Sequence, residues 1–141
     1  MAIPPPAIAP TLHRFLGIGL VILLGTAGVM KLMGKVPMLP PDDVTRTIAY
    51  IFSGIAAALI LVALLMFKPG VPERRPGETM EAYWTTQATV MKIMRVWFVL
   101  EGAGVMATVG FFMTGYSVVF VAAAITVAIY WWCGPAAFAK P

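Results

Sequence analysis

From Gly102 to Ala139 the chain runs without one charged side chain. In an apolar solvent every backbone N–H and C=O must be satisfied internally, so such a stretch is expected to be helical. As one straight helix it would measure about 57 Å, against about 30 Å of hydrocarbon in a bilayer. It must therefore fold back on itself. The break is legible at Thr114, Gly115, Tyr116 and Ser117. Glycine accepts the left-handed residue that closes a helix, and serine caps the next one. The run is thus read as two spans, 93–113 and 117–133, joined by a tight hairpin, with Gly134 and Pro135 ending the second.

Two further runs have the same character. The sequence FLGIGLVILLGTAGVM lies between Arg14 and Lys31, and residues Thr47 to Phe67 carry no charge before Lys68, Pro69 and Gly70. A spanning helix needs about 20 mostly apolar residues, with long basic side chains reaching back to the interface. These runs predict spans at 15–33 and 47–67, the first expected to be kept rather than cleaved as a signal peptide. Composition agrees: 60% of the 141 residues are hydrophobic and 11% charged, whereas a soluble domain carries roughly a quarter charged residues. The expectation is an all-α, single-domain integral membrane four-helix bundle (1–141), built from two antiparallel helix hairpins and placed in the cell membrane.

Lysine and arginine set the orientation. Arg14, Lys68, Arg74, Arg75, Lys92, Arg95 and Lys140 fall on the side that holds both termini, against Lys31, Lys35 and Arg46 on the other, a count of seven to three. Both termini are therefore expected to be cytoplasmic. The same bias explains the net charge of +4. No basic stretch has the aromatic interleaving of a nucleic-acid binder, so the expected partners are the lipid bilayer and other membrane subunits or a second copy of the chain.

The polar segments are short. The loop GKVPMLPPDDV is stiffened by three prolines and enters the second helix through Asp42 and Asp43, of which Asp43 is the expected N-cap. In the loop KPGVPERRPGE, Arg74 and Arg75 are expected to face lipid headgroups. Beyond it, Thr79 is a candidate N-cap and Glu81 a first-turn acid. They begin either an extension of the third helix or a separate interfacial helix holding Tyr83 and Trp84.

One residue demands a reason. Glu101 lies within the third span, where an ionisable group costs several kcal/mol unless paired, hydrated or neutral, and so marks a functional site by default. Its helix face carries Trp97, Gly104, Val105 and Thr108. Arg95 is poorly placed to pair with it on the same helix, which leaves His13 or Arg14 at the start of the first span as partners. Small residues mark expected helix contacts: Gly17, Gly25 and Gly28; Ser53, Gly54, Ala57 and Ala58; and Gly102, Gly104, Ala107 and Gly110. The third span is the richest and should be central.

The segment EGAGVMATVG resembles the acid-bearing, glycine-rich hairpins of rotary ATPase proteolipids. Glu101 stands in the first helix of its hairpin, however, and no polar loop joins the two helices, so that assignment is rejected. With one histidine and one cysteine, Cys133, a single chain offers no disulfide and no histidine-rich metal site, and no cofactor or catalytic constellation is expected. The reading is a non-enzymatic accessory, assembly or scaffold subunit of a membrane complex. The alternative is an oligomeric proton or small-solute conduit that uses Glu101.

Overall fold

The computed structural model describes residues 8–139; the Pro4–Pro6 run and Lys140 lie outside them. The described residues form helices and connecting turns with no strand. In order these are α1 (Ile8–Leu32), α2 (Asp43–Leu61), α3 (Met80–Thr85), α4 (Gln87–Thr114), α5 (Ser117–Trp132) and α6 (Pro135–Phe138). The end of α2 widens into a π-helical turn over Val62–Phe67 and then tightens into a 3-10 turn over Lys68–Gly70, where Pro69 removes an amide donor and stops the helix. Three helices, Ile8–Leu32, Asp43–Gly70 and Gln87–Thr114, are long and apolar enough to cross a membrane, and α5 is a shorter apolar helix.

α4 is the central helix, as its glycines and alanines predicted: it packs against α1, α2 and α5. Half of its most apolar window is buried, compared with 17% for α1 and for α2. Small side chains explain how three neighbours fit. A Cβ on Gly110 would stand 2.5 Å from Cγ and 2.6 Å from Cβ of Phe52 on α2, and one on Gly104 would meet Leu20 of α1 at 2.9 Å. On α1, a Cβ on Gly17 would meet Trp131 at 2.8 Å. In a lipid solvent such close approach, rather than burial from water, holds helices together.

Five of the small residues do not meet another helix within the described residues. Gly25, Gly54 and Gly102 have open space where a Cβ would be, and Ala57 and Ala58 are exposed. The buried alanines of this segment are instead Ala49 and Ala56 of α2 and Ala63 of the π-helical turn that follows, each fully buried.

The caps also differ in detail. Asp42, not Asp43, is the N-cap of α2: its carboxylate accepts from the Thr45 amide at 2.7 Å. Asp43 sits in the first turn and pairs at the surface with Arg46. Thr79 caps α3 as expected, accepting from the Ala82 amide, and a break at Thr86 makes α3 separate from α4. Gly115 takes the left-handed conformation at φ 66°, but Tyr116 holds the N-cap position of α5 and Ser117 is its first helical residue.

A helix end leaves carbonyls without partners, and those of α4 are met by the loop after α1. The Met38 amide donates to the Phe112 carbonyl at 3.2 Å and the Leu39 amide to Met113 at 2.9 Å, while Lys31 Nζ donates to the Gly115 carbonyl at 3.0 Å. These bonds tie the end of α1 to the end of α4.

Candidate functional site

Two polar features inside the apolar helices stand out, a histidine and the acid singled out above. His13 on α1 is 1% exposed. Its Nε2 lies 3.1 Å from the Tyr130 carbonyl oxygen of α5, which can only accept, so Nε2 carries a proton and donates. Tyr130 returns the bond, its hydroxyl donating to the His13 carbonyl at 3.1 Å. The two rings stack with centroids 4.5 Å apart and planes 6° from parallel. This reciprocal clasp joins the start of α1 to the end of α5.

Trp97 of α4 completes the arrangement. Its ring centroid is 4.5 Å from that of His13, and its indole N–H donates to the Cys133 carbonyl at 2.7 Å, one of the carbonyls that the end of α5 leaves free. Outside it, the Tyr83 hydroxyl of α3 lies 2.9 Å from the Pro72 carbonyl and 3.0 Å from that of Phe138 in α6, so one proton serves two acceptors. Burial pushes the Tyr83 phenol above its ordinary pKa, with the nearby Glu78 charge adding to the effect. The cluster therefore ties the ends of α1, α3, α5 and α6 around the first half of α4. Nδ1 of His13 is buried with no hydrogen-bond partner among the described residues. His13, Arg14, Met80, Trp131, Gly134, Pro135 and Ala136 line a cavity of about 370 Å³ beside this cluster.

Glu101 lies near the midpoint of α4, about 21 Å along the helix from Gln87. Its carboxyl makes no hydrogen bond or ion pair among the described residues. It stands at the edge of the packed side. Trp97, Gly104 and Thr108 on one flank are buried, while Phe98, Val105 and Val109 on the other are 51%, 37% and 41% exposed.

None of the expected partners reaches it. His13 is committed to Tyr130, and Arg14 is exposed beside the His13 cavity. Arg95 instead borders a hollow with Met66, Phe67, Gly70 and Lys92 at the end of α2.

Other polar groups are spent on structure. Thr108, Thr114 and Thr126 each donate to a carbonyl one turn back at 2.8 Å. Arg74 folds onto its own loop and donates to the Glu78 carbonyl at 3.1 Å, and the Arg75 side chain is exposed. The His13–Tyr130 clasp was not foreseen, because its members are 117 residues apart. The sequence signal that could have found it is a histidine among apolar residues of a span matched by a tyrosine at the corresponding depth of another. No protein family matches the chain, and no curated protein or solved structure matches it either.

Proposed function

We propose that this chain is a non-catalytic accessory or assembly subunit that docks on another membrane-embedded protein through the exposed flank of α4. The observation that carries the reading is Glu101, which lies in a long apolar helix, has no hydrogen-bond or ion-pair partner among the described residues and adjoins the exposed Phe98, Val105 and Val109. A carboxyl in hydrocarbon is stabilised by a hydrogen-bond donor or a cation, and here that group comes from outside the chain. Gly102, with open space around it, lets a partner backbone come close.

In this reading the chain crosses the cell membrane four times as a bundle of two antiparallel hairpins, with both termini cytoplasmic. Support comes from the alternating directions of the packed helices. His13 near the start of α1 meets the end of α5, and Met38 and Leu39, just before α2 begins, donate to the Phe112 and Met113 carbonyls near the end of α4. The lysine and arginine bias points the same way.

The test is site-specific photo-cross-linking in native membranes, with the reactive group at Phe98, Val105 or Val109 and a control at Ile22 on the exposed side of α1. Adducts of a defined larger mass from the α4 positions, reduced by Glu101→Ala and absent from Ile22, are expected. Equal labelling at all four positions overturns the reading. Proton or solute flux through liposomes containing the purified chain alone, abolished by Glu101→Gln, would replace it with the conduit.

A further inference from the structure

The exposed flank of α4 is edged by two unlike charges. Six residues turn an α-helix through about 600°, so Arg95 and Glu101 stand about 120° apart around it, with Phe98, Gly102, Val105 and Val109 between them. Arg95 is on the α2 side, where it borders a hollow with Met66, Phe67 and Gly70. Glu101 is on the α1 side, next to the edge formed by Trp97 and Gly104, which face His13 and Leu20. Neither side chain makes a hydrogen bond or ion pair among the described residues, and their angular separation keeps them from pairing along their own helix. The same six residues set them about 9 Å apart in depth. A helix seated on this flank is therefore met by a cation on one edge and, deeper, by an acid on the other.

We infer that the occupant of the α4 flank is a membrane helix of a different protein that carries an acid to meet Arg95 and a base to meet Glu101. It rests on the docking reading above and names the partner's chemistry. On an α-helix a step of about five residues rises about 7.5 Å and turns about 140°, which puts the two charges at different depths and on opposite edges. The acid is the one nearer the start of α4. Edge charges of this kind set partner and orientation where helices pack side by side, and each is stabilised in hydrocarbon by its opposite. A second copy of α4 does not fit. In a parallel pair about a two-fold axis, Arg95 of one copy and Glu101 of the other share a side but stay about 9 Å apart in depth. In an antiparallel pair centred on Phe98 they share a depth but fall on opposite sides of the contact.

The test uses the full chain in phospholipid bilayers with three synthetic leucine-alanine spanning helices, each bearing a dansyl group that accepts energy from the tryptophans of the chain. One helix carries Asp and Lys five residues apart, one carries them seven apart and so on a single edge, and one is uncharged. The five-residue helix is expected to associate about tenfold more tightly than either of the others. Arg95→Gln and Glu101→Gln should each remove most of that advantage. The comparison of the three helices on the unaltered chain stands even if a variant does not fold. Equal association of the three, or an advantage that survives both variants, overturns the complementary-charge partner. Disulfide-linked dimers of Phe98→Cys or Val105→Cys in a Cys133→Ser background, formed in the same bilayers and lost with Arg95→Gln, would assign the flank to a second copy instead. The docking reading itself fails separately, through equal photo-cross-linking at the α4 positions and at Ile22.

Discussion

Gly110→Ala and Gly102→Ala place the same methyl group on the same helix eight residues apart, and the structure requires opposite outcomes. At position 110 the new Cβ would stand 2.6 Å from Cβ of Phe52. That atom is bound to the α2 backbone and cannot rotate away, so α2 and α4 must separate. Overpacking of this kind costs roughly 1–3 kcal/mol, and a contact this short belongs at the upper end. Replacing a helical glycine by alanine returns about 1 kcal/mol of propensity. The net loss is about 2 kcal/mol, or ~6 °C in Tm for a chain of this size.

At position 102 nothing lies within 4 Å, only the propensity gain remains, and Tm should rise by ~3 °C. The assay is built into the molecule. Cys133, its one cysteine, is fully buried, so a maleimide dye that fluoresces on reacting with thiol reports unfolding in mild detergent. Gly54→Ala on α2, also with open space, serves as a second control. If Gly110→Ala melts with or above the unaltered chain, or Gly102→Ala falls with it, the packing of α2 against α4 described here is wrong.

Other outcomes follow from the polar contacts. Trp97→Phe removes the donor to the Cys133 carbonyl at 2.7 Å and should cost about 1–3 kcal/mol, with faster labelling of Cys133 below the melting temperature. Asp42→Ala should lower Tm more than Asp43→Ala, since the carboxylate of Asp42 caps α2. The Thr45 amide holds the Asp42 carboxyl below its ordinary pKa. Its contribution is therefore fully present above the ordinary carboxylate pKa and is lost as pH falls through the lowered folded value, which a comparison of Asp42→Asn with the unaltered chain across acidic pH will reveal. Tyr83, raised by burial, contributes fully below the ordinary tyrosine pKa and loses that contribution as pH rises through the folded value. Absorbance titration of the unaltered chain against Tyr83→Phe should show one phenol ionising late.

What the sequence revealed and what it hid divide along a physical line. Features set by a few adjacent residues were legible. The hairpin at Gly115 follows from glycine's access to positive φ, the Thr79 cap from its side-chain oxygen, and the central place of α4 from its density of small residues. Features set by the phase of a helix against its neighbours were not. α2 carries small residues around much of its circumference, so Ser53, Gly54, Ala57 and Ala58 looked as suitable as Ala49, Ala56 and Ala63, and only the position of Phe52 against Gly110 selects the latter.

The candidate sites show the same division. Glu101 was conspicuous because an acid in an apolar run is expensive, but its partners were named from depth alone, and depth did not reveal that His13 is held by Tyr130. Asp42 and Asp43 are adjacent and chemically alike. Which one caps depends on which backbone is extended, and Asp42 is, at φ −127° and ψ −179°.

The central claim is that the flank of α4 beside Glu101 lies in hydrocarbon. Spin labels at Phe98→Cys, Val105→Cys and Val109→Cys, each in a Cys133→Ser background and reconstituted in bilayers, test it through relaxation by oxygen and by a water-soluble nickel chelate. High oxygen and low nickel accessibility at all three positions is the expected result. Strong relaxation by the nickel chelate along this stripe would place it in water and contradict the account.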